Sequence, residues 1–304
     1  MTRLSDAAIE RLRLAADTPD TAGTRYTVGA EIGRGGMGTV YEAHDAVLDR
    51  PVALKVLTLP ESDSAEAARM LNEARVMAGL EHPGIVPVHD AGTFPDGRVY
   101  CAMKRVRGES LDEWAASRSL SERLRVFQKI CETVAFAHAR GVLHRDLKPE
   151  NVMIGEFGEV LVLDWGVARR HGEPSEPEGT VLGTRAFMAP EQAAGRTALL
   201  DERIDVHALG VILAGLAAAD PGKVSRALRS VAAKASAPDP GERYLDAVAL
   251  AADVERFLSG GVPAAHREGW LERLGRFGAR HRTAILLVLA YVLMRALFIL
   301  VFRP

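Results

Sequence analysis

The hydrophobic pattern divides the chain into a strand-rich part and a helix-rich part. Short runs rich in β-branched residues, separated by turn residues, predict a small antiparallel sheet with strands over residues 26–32, 39–45, 51–57, 86–93 and 98–103. After residue 120, apolar residues recur at helical spacing, as Leu124, Phe127, Ile130 and Val134 do. The pattern therefore predicts an α+β fold in which a small sheet precedes a mostly helical region.

The same periodicity places the remaining elements. Helices are predicted over residues 4–16, 65–79, 120–140, 204–219 and 222–235, and a hairpin over residues 152–154 and 160–163. The first of these helices belongs to an N-terminal extension, residues 1–25, which we expect to lie outside the core.

The C-terminal region has two distinct patterns. In residues 262–283, apolar residues such as Trp270 and Phe277 alternate with arginines, which is typical of a helix on an anionic membrane surface. Residues 284–302 carry Arg295 as their only charge, and their length meets the roughly 17-residue minimum for a transmembrane helix. Because the arginines precede this segment, we expect a single-pass helix in the inner (cytoplasmic) membrane, with the rest of the chain in the cytoplasm. A helix buried against a partner, or one lying on the surface, is the alternative.

Composition narrows the class of protein. The 304 residues carry a formal net charge of −2, so we expect no nucleic-acid partner, for which a basic patch would be the footprint. Cys101 and Cys131 each lie in an apolar run without metal-site spacing, which indicates buried thiols in a reducing compartment. The N-terminus lacks the uninterrupted apolar stretch of a signal peptide.

The chemistry-bearing residues are concentrated in residues 142–151, Val-Leu-His-Arg-Asp-Leu-Lys-Pro-Glu-Asn. Pro149 removes a backbone donor and restricts the preceding residue, so this segment is predicted to be a loop. Taken alone, its His-Arg-Asp triplet favours a solvated turn. Four other motifs accompany it in the chain, namely a glycine-rich stretch at 33–40, Val-Ala-Leu-Lys at 52–55, Asp-Trp-Gly at 164–166 and Ala-Pro-Glu at 189–191.

In this order, the five motifs resemble those of the bacterial eukaryotic-like, or Hanks-type, serine/threonine protein kinases. The resemblance covers roughly residues 26–260. It implies a two-lobed kinase-like fold, with a small lobe over 26–103 and a larger lobe over 109–260. It also implies that the chain transfers the γ-phosphoryl group of MgATP to Ser or Thr hydroxyls of an unidentified protein substrate, with Mg²⁺ or Mn²⁺ as the metal.

By resemblance, residues 142–151 form the catalytic loop, and each of its chemistry-bearing residues has an expected role. Asp146 would accept the proton of the substrate hydroxyl, and Lys148 would neutralise charge on the transferred phosphoryl group. Asn151 and Asp164 would hold the metal ion.

Lys55 lies in an otherwise apolar strand, where an ionised amine is costly unless it is paired. By resemblance it would contact the α- and β-phosphates of ATP and form an ion pair with Glu73 on the helix predicted at 65–79. A solvated helix face is the alternative for Glu73.

The glycine-rich stretch is weak evidence by itself, because dinucleotide-binding folds use similar glycines. Here Thr39-Val40-Tyr41 predicts a strand after the last glycine, which favours a hairpin over ATP phosphates. The predicted nucleotide-binding residues are Gly33, Arg34, Gly35, Gly36, Met37, Gly38, Val40, Ala53, Lys55, Met103, Asp112 and Met153. Asp112 has a second interpretation, since an acid is also favourable in the first turn of a helix.

The residues between 164 and 191 are rich in Gly, Glu, Pro and Ser, which predicts a mobile surface loop. Its candidate phosphorylation sites are Ser175, Thr180 and Thr184. Thr184 matches the substrate-positioning threonine of the family, so Thr180 is the leading candidate. We expect its phosphate to pair with Arg145 and autophosphorylation to regulate activity.

Three positions depart from the family pattern. Lys104 and Arg105 stand where many relatives carry an acid and an aromatic residue, and Trp165 replaces the usual Phe of Asp-Phe-Gly. The departures in the hinge leave a nucleotide-binding pseudokinase, or a membrane-tethered signalling scaffold, as the alternative function.

The larger lobe is predicted to be trimmed. By resemblance Asp205 should brace the catalytic loop and Glu191 should pair with Arg243. The two helices predicted between Asp205 and Arg243 fill that interval, so the elements that relatives place there for docking protein substrates are expected to be missing.

Overall fold

A five-stranded antiparallel sheet forms the small lobe, with strand order β1-β2-β3-β5-β4. Its strands are β1 (Tyr26–Gly35), β2 (Gly38–Asp45), β3 (Arg50–Val56), β4 (Val88–Thr93) and β5 (Val99–Lys104). The computed structural model describes residues 18–35, 38–57, 65–170, 176–218, 225–269 and 281–301, with the side chains of the last helix described over 283–295. The predicted sheet is confirmed, and β1 is longer than predicted because its pairing with β2 continues through the glycine-rich stretch to Gly35.

Strand β3 shows how the sheet separates core from site. Because side chains alternate between the two faces of a strand, Val52, Leu54 and Val56 pack into a small apolar cluster with Tyr41. Lys55 must then point to the opposite face. The sequence of β3 therefore places the Lys55 ammonium on the face of the sheet opposite the small apolar cluster.

Helices dominate the rest of the chain. They are α1 (Ala65–Ala78), α2 (Leu111–Ala115), α3 (Leu120–Ala139), α4 (Pro190–Ala193), α5 (Arg203–Ala218), α6 (Arg226–Ala235), α7 (Ala247–Leu258) and α8 (Arg282–Val301). The remaining strands are β6 (Gly108–Ser110), β7 (Val142–Leu143), β8 (Val152–Gly155), β9 (Val160–Val162) and β10 (Arg169–Arg170). Strands β6, β8 and β9 form one small sheet, and β7 pairs with β10.

Helix α3 is the centre of the larger lobe, and local sequence sets both of its ends. At its start, the Ser119 backbone N–H donates to Glu122 Oε2 at 2.9 Å and the Glu122 N–H donates to Ser119 Oγ at 3.3 Å, a capping box. At its end, Gly141 adopts φ +71° and its N–H donates to the His138 carbonyl oxygen, a conformation that favours glycine. The chain then enters β7 and the catalytic loop.

The main hydrophobic core lies where α3, α5, α6 and α7 meet beneath α1. Phe127 and Ile130 of α3 are fully buried there. Between Asp205 and Arg243 the described residues form α5, α6 and a 3₁₀ turn, Pro240–Glu242. The predicted pair of helices in this interval is confirmed, although α6 begins at Arg226 and residues 219–224 lie outside the described part of the chain.

Two predictions for the chain ends have different outcomes. The helix predicted over residues 4–16 lies outside the described residues. A helix, α8, is found at the predicted membrane span over 284–302, but its described side chains end at Arg295. Within the part of the chain that the structure describes, no helix is long and apolar enough to cross a membrane. The described residues therefore give no support to the expected transmembrane helix.

Candidate active site

An ion-pair cluster joins the two lobes at Lys55. Its Nζ lies 3.0 and 2.7 Å from the two carboxylate oxygens of Glu73 on α1, and 3.1 Å from Asp164 Oδ1. The Glu73 side chain is buried and 13% of the Lys55 side chain is exposed, whereas 46% of the Asp164 side chain is exposed. The predicted ion pair between Lys55 and Glu73 is therefore present, and it shares its ammonium with a second carboxylate.

Burial and charge act in opposite directions in this cluster. Burial by itself would lower the pKa of Lys55, but the negative charges of Glu73 and Asp164 raise it above its ordinary value. Burial raises the pKa of Glu73, and the nearby Asp164 charge adds to that effect despite Lys55. Burial also acts to raise the pKa of Asp164, yet the Lys55 charge holds it below its ordinary value.

The backbone of the catalytic loop is held by one buried carboxylate. Asp205 Oδ2 accepts from the His144 N–H and Oδ1 from the Arg145 N–H, both at 2.8 Å. Asp205 Oδ2 also lies 2.8 Å from His138 Nε2. Arg145 has φ +71°, a conformation that costs a non-glycine residue on the order of 1–3 kcal/mol. The predicted brace at Asp205 is thus present, and it holds the residue directly before Asp146 in a strained conformation.

Asp146 is the centre of a second cluster. Its Oδ1 accepts from the Thr184 N–H at 2.6 Å, and its Oδ2 lies 3.3 Å from Asn151 Nδ2 and 3.4 Å from Lys148 Nζ. Lys148 Nζ also donates to Thr184 Oγ1 at 3.0 Å. The structure therefore brings together a carboxylate, an ammonium, an amide and a hydroxyl that lie up to 38 residues apart in the chain.

The donor set fits a magnesium ion. Asn151 Nδ2 donates to the Asp146 backbone oxygen at 2.8 Å, which leaves the Asn151 amide oxygen as an acceptor. Asp164 has φ +58°, and the Lys55 contact involves only its Oδ1. Among the described residues, no group of three or more His, Cys, Asp or Glu could hold a metal. Mg²⁺ commonly takes one or two protein ligands and completes its shell with phosphate and water oxygens, so Asn151 and Asp164 suit it.

Strand registers bring three of the predicted nucleotide-binding residues together. Val40 pairs with Lys55, Ala53 pairs with Met103, and Met153 lies on β8 opposite Leu161. Val40, Ala53 and Met103 therefore occupy neighbouring positions of the small lobe, on strands β2, β3 and β5.

The glycine-rich hairpin is described on both sides of its tip. Gly33 pairs with Val40, and Gly35 pairs with Gly38. Gly38 has φ +156° and a Cβ there would collide with the Val56 carbonyl oxygen, so this position requires glycine. The predicted residues Gly36 and Met37 lie outside the described part of the chain.

The Arg34 side chain forms an ion pair within strand β1. Its guanidinium donates to both Glu31 carboxylate oxygens, at 3.0 and 2.8 Å.

The two departures in the hinge form ion pairs. Arg105 binds Glu42 of β2, and Lys104 Nζ lies 3.7 Å from Glu159, before β9. Each basic residue therefore has an acidic partner on an adjoining element, which explains how the hinge packs without the acid and aromatic residue of many relatives.

Ser110, near the hinge, is a candidate site residue that was not predicted from the sequence. Ser110 pairs with Met153 across β6 and β8, whereas Asp112 is exposed in the first turn of α2. The sequence signal was the capping box formed with Glu113, whose Oε2 accepts from the Ser110 N–H and Oγ. This arrangement favours the helix-start interpretation of Asp112.

Trp165 is buried against the catalytic loop. Its ring centroid lies 4.5 Å from that of His144, and its Nε1 donates to the Val162 carbonyl oxygen at 3.3 Å. It shares the main core with Met77 of α1. The larger ring is therefore accommodated in the main core together with residues of α1.

The loop after Asp164 holds an acidic residue that the sequence reasoning overlooked. Glu176 Oε1 accepts from Arg145 Nη1 at 2.5 Å, at the position predicted for a phosphate on Thr180. The Thr180 hydroxyl donates to the Pro177 carbonyl oxygen at 2.6 Å. Ser175 lies outside the described residues. The signal that could have found Glu176 was the acidic composition of a loop expected to face Arg145.

Farther from the site, the predicted pair of Glu191 and Arg243 is present. Arg243 Nη1 and Nη2 donate to the two Glu191 carboxylate oxygens at 2.6 and 2.9 Å. Burial alone would raise the pKa of Glu191, but the hydrogen bond and charge of Arg243 hold it below its ordinary value.

Comparison with known proteins agrees with this geometry. Residues 26–228 match the protein kinase domain family. The chain therefore belongs to that family, and the lobes, the catalytic loop and the Lys55 cluster described above are those of a protein kinase fold.

Curated relatives narrow the class further. The chain is similar to serine/threonine-protein kinase PknD of Chlamydia caviae, 35% identical over 295 residues, which cover 78% of this chain and 31% of the relative. It is similar to PknD of Protochlamydia amoebophila, 33% identical over 300 residues, with coverages of 77% and 30%. With PknD of Chlamydia muridarum, 40% of 228 residues are identical, with coverages of 62% and 24%. The chain thus spans less than a third of the length of these relatives.

Proposed function

We propose that this chain is a serine/threonine protein kinase that transfers the γ-phosphoryl group of ATP to a protein hydroxyl. One observation carries the proposal. Asp146 and Lys148 of the catalytic loop are joined to each other and to Thr184, on the loop after Asp164, by contacts of 2.6 to 3.4 Å. A carboxylate and an ammonium beside a hydroxyl-binding position are what transfer to an alcohol requires.

Asp146 is proposed to orient the substrate hydroxyl and to accept its proton as the new O–P bond forms. Lys148, tethered to Thr184, neutralises negative charge on the phosphoryl oxygens and keeps the loop beside the acceptor. Thr184 positions the acceptor through its backbone N–H on Asp146.

Lys55 is proposed to bind the α- and β-phosphates of ATP, with Glu73 holding the ammonium in place. Asn151 and Asp164 would hold Mg²⁺, which when bound would neutralise charge between the β- and γ-phosphates. The glycine-rich hairpin would cover the phosphates, and Val40, Ala53, Met103 and Met153 would enclose the adenine.

The kinase domain is proposed to extend to about residue 260, beyond residue 228, where the family match ends. Helix α7 supports this limit because it packs against α3 and α6. Within α7, Asp253 is fully buried and accepts from the Ala264 and Ala265 N–H groups at 2.6 and 3.0 Å.

A nucleotide-binding pseudokinase is the second candidate, and the altered hinge at Lys104 and Arg105 favours it. Incubation of the purified chain with γ-labelled ATP and Mg²⁺ separates the two functions. We expect label on Ser or Thr for the wild type and for the control Asp239→Asn, because Asn preserves a cap.

Asp146→Asn should lose about 10²- to 10⁴-fold in rate, the range of a general base, while still binding a fluorescent ATP analogue. Equal labelling by the wild type and Asp146→Asn, or binding without any transfer by the wild type, would contradict the proposal.

A further inference from the structure

Glu176 connects two arginines of the larger lobe. Its Oε1 lies 2.5 Å from Arg145 Nη1, and its Oε2 lies 3.9 Å from Arg169 Nη1. The Arg145 side chain is only 2% exposed, so its charge would be buried without a partner if Glu176 were absent. Burial alone would raise the pKa of Glu176, but the Arg145 hydrogen bond and the charges of Arg145 and Arg169 hold it below its ordinary value.

The backbone of the loop fixes Glu176 in this position. Thr197 Oγ1 lies 2.8 Å from the Glu176 carbonyl oxygen and 2.9 Å from Glu178 Oε2, so the single hydroxyl proton is donated to one of these two acceptors. The Thr197 N–H donates to Glu178 Oε2 at 2.9 Å. Farther along, the Gly179 N–H donates to the Gly195 carbonyl oxygen at 2.9 Å. Residues 176–179 of the loop are thus attached to the segment that follows α4.

Arg145 transmits the position of Glu176 to the reacting groups. It directly precedes Asp146 and holds a left-handed backbone conformation. Its carbonyl oxygen accepts from Gln192 Nε2 at 2.7 Å, and a Cβ at Gly183 would lie 2.7 Å from that same oxygen. A change in the Arg145 side chain would therefore disturb both Asp146 and the loop residue next to Thr184.

We propose that Glu176 is a positioning residue that occupies the place of a loop phosphate, so that the loop is ordered for catalysis without phosphorylation. Among the described residues, the Thr180 hydroxyl donates a hydrogen bond to the Pro177 carbonyl oxygen, whereas Arg145 and Arg169 lie beside Glu176. Phosphorylation of Thr180 is the competing explanation for loop order. The proposal rests on the phosphoryl-transfer function above, and its first test is independent of that function.

Hydrogen exchange on the full chain, purified with co-expressed phosphatase and shown by intact mass to carry no phosphate, is the first test. We expect protection of amides in residues 176–187 in the wild type, and faster exchange there in Glu176→Gln. The matched control is Glu242→Gln, which removes an exposed carboxylate outside the site. Unchanged exchange in Glu176→Gln would overturn the proposal, whether or not the protein transfers phosphate.

Kinetics on the same unphosphorylated proteins test the positioning role. Loss of a hydrogen bond between charged groups costs about 1.5–3 kcal/mol, so kcat of Glu176→Gln should fall roughly 10- to 100-fold. The KM for ATP should not change, because Lys55 and Glu73 are untouched. In an Arg145→Gln background, Glu176→Gln should lower kcat no further, since the acid acts through that arginine.

The same preparation distinguishes Glu176 from Thr180. Unphosphorylated wild type and Thr180→Ala should share one kcat. If the unphosphorylated wild type is inactive and gains activity only when Thr180 is phosphorylated, the competing explanation is correct and the proposal is wrong. If no variant transfers phosphate while loop exchange still depends on Glu176, the proposed function fails and the positioning contact stands.

Discussion

Two buried ion pairs in this protein differ in how completely their charges are balanced. Arg243 donates to both oxygens of Glu191 and also to the carbonyl oxygens of Ala237, Arg203 and Pro238. Lys55 instead shares a single ammonium between two carboxylates, Glu73 and Asp164. The first pair is a complete network, and the second carries an excess of negative charge.

The pKa shifts of the two glutamates express this difference. The pKa of Glu191 is lowered because Arg243 outweighs its burial, whereas the pKa of Glu73 is raised because burial and Asp164 outweigh Lys55. A balanced pair stabilises the fold by itself. The unbalanced pair favours the arrival of further positive charge, which is the property expected of a site that receives a metal ion with a nucleotide.

The largest effect should come from breaking the balanced pair. Arg243→Ala leaves the buried Glu191 carboxylate without its partner, which costs about 3–5 kcal/mol and lowers the melting temperature by roughly 10 °C for a domain of this size. Thermal unfolding followed by circular dichroism measures this. A change within about 2 °C, less than one kcal/mol at this size, would show that Glu191 relaxes into solvent and that the pair is not structural.

Breaking the unbalanced pair should affect activity more than stability. Lys55→Met removes the proposed contact with the ATP phosphates, and loss of one such charge-stabilising donor lowers kcat about 10²- to 10³-fold. Its melting temperature should fall less than that of Arg243→Ala, because Glu73 already has a raised pKa and can take up a proton, while Asp164 faces solvent. Steady-state kinetics and thermal unfolding of Lys55→Met and Arg243→Ala test this difference. An equal loss of stability in the two variants would contradict it.

How far the sequence predicted these regions depends on the range of the contacts involved. The apolar strand around Lys55 and the loop around Pro149 are local signals, and the structure agrees with both of them. The pairings of Lys55 with Glu73 and of Glu191 with Arg243 came from the resemblance. Periodicity alone has no means of matching residues 18 and 52 positions apart.

Contacts that depend on the conformation of an irregular loop were not predicted from the sequence. Glu176 was not predicted as the partner of Arg145, because the residues between Asp164 and Glu191 show no periodicity. Arg145 was instead expected to pair with a phosphate on Thr180. Ser110 was overlooked because its position beside Met153 depends on the register of a three-residue strand. Such placements depend on tertiary contacts that no local preference encodes.

Lowering the pH should change the stability contributions of Glu191 and Glu73 in opposite directions. The folded pKa of Glu191 lies below its ordinary value of 4.5, so its contribution to stability is present above that pH and is lost as pH falls through the folded pKa. The stability advantage of the wild type over Glu191→Gln should therefore shrink on acidification. The folded pKa of Glu73 is raised, so the wild type should gain relative to Glu73→Gln as pH falls.

Urea unfolding from neutral pH down to about pH 3, through the range in which carboxylates titrate, measures the unfolding free energies of all three proteins. If both differences move in the same direction with pH, the two pairs are electrostatically alike and the comparison is wrong.

The smallest effect is expected at the edge of the nucleotide site, at Asp112. This side chain is exposed in the first turn of α2, whereas Ser110 lies opposite Met153, one of the proposed adenine contacts. Asp112→Asn should therefore leave the KM for ATP unchanged, and Ser110→Ala should raise it. Because Ser110→Ala also removes a helix cap worth about 0.5–2 kcal/mol, its KM is compared with that of Glu113→Gln, which weakens the same cap and leaves the hydroxyl in place. An increase in KM for Asp112→Asn but not for Ser110→Ala would assign the nucleotide contact to the acid, and the register of β6 and β8 would no longer define the edge of the site.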